Sequence, residues 1–203
     1  MTGFRRSRRR VASPGDAPEP TSGQQPPHPP ADPESAARAI CLRLLALQPR
    51  TRAELATALA SRDVPDEAAE AVLDRFGEVG LIDDTAFADA WVETRHRGRG
   101  LGRRALAQEL RRKGVDDEVA QEALGQLDSE TEEATARALV ARRLSASRGM
   151  PTETRIRRLG GMLARKGYPQ GLAIKIVREA LAEEGAVTGL ELDALDASLE
   201  EED

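Results

Sequence analysis

The 203 residues contain one cysteine, two histidines and five aromatics, namely one Trp, one Tyr and three Phe. The lone Cys41 lies in an apolar helical context and has no partner for a disulfide within the chain. That fits a reducing cytoplasm. His28 falls in a proline-rich head. His96 stands among arginines that oppose its protonation, so it reads as a solvated residue at a helix end and a poor general acid. With no His/Cys cluster, a zinc site is not expected. No run approaches the roughly 20 apolar residues of a membrane span. Arg5, Arg6, Arg8, Arg9 and Arg10 resemble the start of a signal peptide, but no apolar stretch follows them, so secretion is not expected. Only four of the twelve prolines lie beyond residue 33. The head, 1–32, is therefore expected to be disordered, and an ordered chain to begin at Asp32-Pro33, an N-cap with proline at the first helical position.

What is abundant is Ala, Leu, Arg and Glu. This mixture favours helix and offers few strand formers. Leu55-Ala56-Thr57-Ala58-Leu59 has counterparts in Leu106-Ala107-Gln108-Glu109-Leu110 and Leu159-Gly160-Gly161-Met162-Leu163. Each is followed by a polar turn and an apolar residue: Arg62-Asp63-Val64, Lys113-Gly114-Val115 and Lys166-Gly167-Tyr168. A helical period near 50 residues signals stacked units. The expected fold is all-α: three tandem three-helix repeats over 33–81, 82–128 and 129–184, followed by an acidic tail, 185–203. Three helical units in a row make a long, narrow object.

Local signals place the helices. The first runs over about 33–47, with Ile40, Leu44 and Leu47 on one face. Thr51 with Glu54 forms a capping box, and Ser129 with Glu132 is read as another. Asp83 caps the fourth helix, with Ile82 and Phe87 at hydrophobic-staple spacing and Phe87, Trp91 and Ala88 on its buried stripe. Gly114 and Gly167 sit at helix reversals that favour a left-handed residue, and Asp63 holds that place in the first unit. Gly160-Gly161, inside a helix, implies either a closely approaching neighbour or a loose segment.

Charge is strongly segregated. Residues 95–113 carry +7 and 136–178 carry +10, whereas 34–84 carry −4 and 183–203 carry −9. The basic residues Arg95, Arg97, Arg99, Arg103, Arg104, Arg111, Arg112, Lys113, Arg157, Arg158, Arg165 and Lys166 are the candidate binding set. Arg104 matches Arg157, Arg112 matches Arg165 and Lys113 matches Lys166 between units, so they should line one continuous surface facing a polyanion or an acidic groove. The tail, with Leu190, Leu192, Leu195 and Leu199 among its acids, reads either as a solvated end or as a short amphipathic piece that docks on a basic surface. No set of residues has the makings of a catalytic site, and no cofactor is expected. Asp83-Asp84 reads as helix capping, not metal binding. Gly98-Arg99-Gly100-Leu101-Gly102 follows a helix, so it reads as a loop and not a dinucleotide site.

Several of these segments together resemble the RecX family of recombinase regulators over roughly 34–182. The carriers are Arg50-Thr51-Arg52-Ala53-Glu54-Leu55, Gly80-Leu81-Ile82-Asp83-Asp84 with Phe87-Ala88 and Trp91-Val92, Gly102-Arg103-Arg104, Glu109-Leu110, Lys113-Gly114-Val115, Ala141-Arg142-Arg143-Leu144 and Arg165-Lys166-Gly167-Tyr168. Asp63 departs from the pattern, since the family tends to carry glycine there, and the head and tail have no fixed counterpart. The resemblance implies an elongated, curved molecule that binds the RecA recombinase in the groove of its filament on DNA. It implies inhibition of RecA ATPase, strand exchange and cleavage of the SOS repressor. It carries over no catalytic residue. The expected partners are thus the RecA filament and, weakly and non-specifically, single- or double-stranded DNA, with no membrane and with the chain itself a monomer. A DNA-binding protein acting on nucleic acid directly is the alternative, because short three-helix units resemble helix-turn-helix modules. A helical scaffold for some other acidic partner is a third reading.

Overall fold

The computed structural model describes residues 32–185, and the head and the acidic tail lie outside them. The described residues form nine α-helices and no strand. The helices are α1 (Pro33–Leu45), α2 (Arg52–Ala60), α3 (Asp66–Glu78), α4 (Asp84–Arg99), α5 (Arg103–Arg112), α6 (Asp117–Gly125), α7 (Ser129–Leu144), α8 (Thr152–Arg165) and α9 (Gln170–Glu183). A single 3₁₀ turn, Ser145–Ser147, follows α7.

The helices group in threes, and each group has its own core. In each, the third helix packs on the other two: α3 on α1 and α2, α6 on α4 and α5, α9 on α7 and α8. The first core gathers Ala37, Cys41, Leu55, Leu59, Val72, Leu73 and Phe76. The second gathers Ala88, Val92, Leu106, Leu110, Ala120 and Leu124. The third gathers Ala136, Val140, Leu159, Leu163, Ile176, Val177 and Leu181. The pattern repeats at the level of residues. Each middle helix contributes two leucines four apart, which share a helical face. Each opening helix contributes a small or β-branched pair with the same spacing: Ala37/Cys41, Ala88/Val92 and Ala136/Val140. Small side chains let that helix approach closely, so a modest apolar content suffices for three small cores.

Some local expectations are corrected. α1 stops at Leu45, and Leu47 is exposed beyond it. The deeply buried face of α1 is Ala37 and Cys41, with Ile40 and Leu44 packed at its edge. On α4, Ala88 and Val92 are buried while Phe87 and Trp91 are only half-buried. Ile82 belongs to the core of the first repeat, not the second. The cause is the end of α3, where the backbone N–H groups of Leu81 and Ile82 both donate to the Phe76 carbonyl and fold Ile82 back. The Ser129/Glu132 capping box does not form. Asp128 is the N-cap, accepting from the Thr131 N–H at 2.6 Å. The Glu132 carboxylate is instead turned to Arg103 of the preceding repeat. The Thr51/Glu54 capping box is present, and Asp83 caps α4 through the Ala86 N–H.

The repeats are joined by one device used twice. In all three repeats the turn after the middle helix closes the same way: Val64, Val115 and Tyr168 each donate a backbone N–H five residues back, to Leu59, Leu110 and Leu163. The left-handed residue is Asp63, Gly114 or Gly167, with φ of 56°, 73° and 88°. The second and third of these turns dock on the start of the middle helix of the preceding repeat. The Thr51 hydroxyl donates to the Lys113 carbonyl at 2.6 Å, and Lys113 Nζ donates to Glu54 at 2.6 Å. One repeat later, the Gly102 N–H donates to the Lys166 carbonyl at 2.8 Å, and the Arg104 N–H to the Gly167 carbonyl at 3.3 Å. A Cβ on Gly114 would lie 2.3 Å from the Ala53 Cβ, and one on Gly167 would lie 2.3 Å from the Ala105 nitrogen. Both glycines therefore answer to a close approach as well as to a turn.

A candidate interaction surface on the second and third repeats

The junctions decide which of the basic residues are free to bind anything. Lys113 is committed to Glu54 and lies 4.8 Å above the Trp91 ring. Arg95 covers the same ring at 4.1 Å and lies 3.7 Å from Glu109, which also accepts from Trp91 Nε1 at 2.9 Å. Trp91 stacks on Phe87 at 5.4 Å, so one aromatic pair organises two cations and a carboxylate beside the first junction. Asp84, second of the acidic pair, accepts the Arg52 N–H at 2.9 Å and so caps α2 of the preceding repeat.

At the second junction Arg103 is held by Glu132. The carboxylate accepts the Arg103 backbone N–H at 2.9 Å and lies 3.3 Å from its guanidinium, which also donates to the Leu127 carbonyl. Lys166 Nζ donates to the Arg99 carbonyl at 2.5 Å. His96, expected in solvent, is buried here at 3% exposure. Its Nδ1 is 2.9 Å from the Leu101 carbonyl and its Nε2 is 2.9 Å from the Thr135 hydroxyl. α4 ends at Gly100 in a left-handed conformation, and that reversal swings the Leu101 carbonyl back onto the ring. Tyr168, 2% exposed, donates to the Gly100 carbonyl at 3.2 Å, and burial, with a smaller push from the Glu132 charge, raises its phenol well above the usual value.

Two more of the twelve candidates are in exposed ion pairs, Arg97 with Glu93 and Arg111 with Asp117. Six remain: Arg99, Arg104, Arg112, Arg157, Arg158 and Arg165. All are exposed and none forms an ion pair with a described residue. At the second junction the Lys166–Gly167 turn contacts the backbone of both Arg99 and Arg104, while Arg165 lines a cleft with Arg143 and Arg158.

Charge reasoning passed over two features. Arg142 and Arg143, at the end of α7, are also exposed and make no ion pair with a described residue. Their place in the last helical turn beside a long basic stretch was the available signal. An apolar groove of about 530 Å³ also runs between the first two repeats, lined by Leu45, Leu81, Phe87 and Trp91. Its signal was the rare aromatic pair itself. Among the described residues, no His, Cys, Asp and Glu cluster has the makings of a metal site, and no helix is long and apolar enough to cross a membrane.

Comparison with known proteins matches this architecture. Residues 37–76 match the model of the RecX first three-helix domain, and residues 83–124 that of the second. A regulatory protein RecX from Streptomyces coelicolor is 63% identical over 160 residues, covering 79% of this chain and 85% of its own. One from Thermobifida fusca is 62% identical over 156 residues, covering 77% and 84%. The crystal structure of RecX from Lactobacillus salivarius superposes with a TM-score of 0.69 at 23% identity, over 73% of this chain and 97% of that one, a likeness of fold. A second crystal structure of a regulatory protein RecX gives 0.66 at 28% identity, over 72% and 73%. With its first two repeats matching the family's first and second three-helix domains in order, and identity above 60% over most of its length, the chain belongs to the RecX family of regulatory proteins.

Proposed function

We propose that this chain restrains the RecA recombinase by binding the RecA–DNA filament in its groove, lowering ATP hydrolysis, strand exchange and repressor cleavage. It acts in the cytoplasm as a monomeric, non-catalytic binder without a cofactor. One observation carries the reading beyond family membership. After the junctions have used their share of cations, six exposed arginines remain that form no ion pair with a described residue, spread over two repeats fixed to each other by backbone hydrogen bonds. A surface of that kind suits an extended anionic partner with periodic structure better than a small ligand. Arg99, Arg104, Arg112, Arg157, Arg158 and Arg165 are its contact residues. Arg95, Lys113 and Lys166 support it from beneath, as Arg103 does from the second junction.

The test is RecA-driven ATP hydrolysis on single-stranded DNA titrated with the purified chain. Suppression near one chain per few filament subunits is expected, and no suppression at several-fold excess sinks the proposal. Direct action on DNA is separated by a gel shift without RecA. Weak binding that collapses with added salt accords with contact to phosphates inside the filament. Tight, sequence-selective binding at physiological salt would transfer the role to DNA itself.

A further inference from the structure

The third repeat is the last among the described residues, and its middle helix is built differently. α8 begins three residues before the position that matches Gly102, so Arg155 stands where the earlier repeats have Thr51 and Gly102. Arg155 is buried and makes a local knot. Its Nε donates to the Ser147 hydroxyl at 3.0 Å, one Nη to the Leu144 carbonyl at 3.3 Å, and the same nitrogen to the Glu184 carboxylate. Arg148 Nε donates to the other oxygen of Glu184 at 2.6 Å. The end of α9 is thus pinned to the turn between α7 and α8, and Gly185, with φ of 73°, turns the chain off the helix there.

The same turn forms one wall of a cleft of about 270 Å³ between α7 and α8. Its floor is Leu159 and Met162, its edge is Ser147, and Arg143, Arg158 and Arg165 ring it. None of these three arginines makes an ion pair with a described residue, and Arg158 only touches the Met150 sulfur, at 3.8 Å. The cleft is smaller than the ~300–1,000 Å³ typical of small-molecule pockets. It has room for one or two apolar side chains flanked by carboxylates.

The chain carries a segment of that chemistry immediately after Gly185. Residues 186–203 hold seven acids, no base and four leucines, three of which, Leu192, Leu195 and Leu199, have the spacing of one helical face. Leu190 lies five positions beyond Gly185, a reach of about 17 Å when extended, and Ser147, which accepts from Arg155 in the knot beside that exit, also lines the cleft. The groove between the first two repeats is a poorer match, because its Arg95 is committed to Glu109 and Trp91 and Asp83 lies in its wall.

We propose that the cleft between α7 and α8 is the docking site of this chain's own acidic end, with leucines on Leu159 and Met162 and carboxylates on Arg143, Arg158 and Arg165. This assignment does not depend on which partner the rest of the arginine surface serves.

The full-length chain permits a direct test. Cys41 is wholly buried and its thiol is pushed up by burial, so a nitroxide placed on Ser198→Cys labels one site. Methionine methyl groups carrying ¹³C report on the cleft through Met162. The Met162 signal is expected to be lost with the nitroxide, relative to its reduced form, and to return in Arg143→Ser/Arg158→Ser/Arg165→Ser and in Leu192→Ser/Leu195→Ser. Circular dichroism checks that both variants keep their helix content. A Met162 signal that survives the label overturns the proposal, as does a loss that persists in the arginine variant. So does a loss that appears when label and ¹³C are on different molecules and is absent when they share one, which would assign the cleft to a second copy's end.

Discussion

Gly114 and Gly167 show what a single residue decides in this molecule. Each takes a left-handed conformation and also lies against the helix of the preceding repeat, where a methyl group has no room. Asp63 is also left-handed but lies in the first of the described repeats, with no described repeat before it to dock on, so only the turn constrains it there. That explains why aspartate is tolerated there alone. Gly167→Ala is expected to cost upwards of about 2 kcal/mol, combining left-handed strain with a backbone clash. Gly114→Ala should cost less, because its obstacle is the Ala53 methyl group. Asp63→Gly should gain up to about 1 kcal/mol. Urea unfolding monitored by circular dichroism orders the three, and an equal loss for all three would deny that docking sets the requirement. The turns themselves were legible in the sequence. Their second duty was not, because it depends on a contact with Ala53 or Ala105, a whole repeat and more away in the chain, that leaves no local pattern.

Within single elements, α8 settles a question the sequence left open. At Gly160 nothing lies within 4 Å of where a Cβ would be, and at Gly161 only an Arg165 nitrogen does, at 3.4 Å. Neither glycine serves a close approach, so each weakens the helix without compensation. Gly160→Ala and Gly161→Ala should each stabilise the protein by about 1 kcal/mol, seen as a higher thermal midpoint. Destabilisation by either would mean that a neighbour does occupy that face. The end of α9 yields a pH prediction. Hydrogen bonds from Arg155, then Arg148, hold the Glu184 carboxyl below the usual carboxylate range. Its folded value is the lower one, so the pinning is complete above the ordinary glutamate value near 4.3 and is lost as pH falls through the depressed value. The ¹³C carboxyl shift of Glu184 should therefore titrate with a midpoint below about 4.3, rising toward it in Arg155→Gln. An unchanged midpoint in that variant would detach the shift from the ion pair. Element boundaries and Asp or Thr caps were readable because they are local. Ser129/Glu132 misled because Glu132 is drawn away by Arg103, a partner from another repeat.

For the whole described array, three separate cores and two like junctions are what the internal repeat implies, and the periodicity was plain in the leucine pairs. The surface was far less legible. Summed charge marked the basic stretches, yet sequence alone could not divide Arg103 and Lys113, whose side chains are paired across a junction, and Lys166, whose side chain bonds a carbonyl across one, from Arg99, Arg104 and Arg157, whose side chains form no ion pair with a described residue. Side-chain pairing across a junction is invisible to a count of charges. The division is testable by stability and binding together. Lys113→Met should lower stability through Glu54, left without its partner, by about 1–3 kcal/mol, whereas Arg104→Met should leave it within about 0.5 kcal/mol. A large loss from Arg104→Met would place that arginine among the structural residues.

The account stands or falls most directly on RecA ATP hydrolysis on single-stranded DNA, titrated with the full-length chain and with Arg99→Glu/Arg104→Glu/Arg157→Glu. The native chain should suppress hydrolysis, and the variant, folded to the same helix content, should need at least about ten times the concentration, equivalent to about 1.4 kcal/mol. Suppression by the variant at the native concentration would contradict the assignment of this arginine surface to the filament.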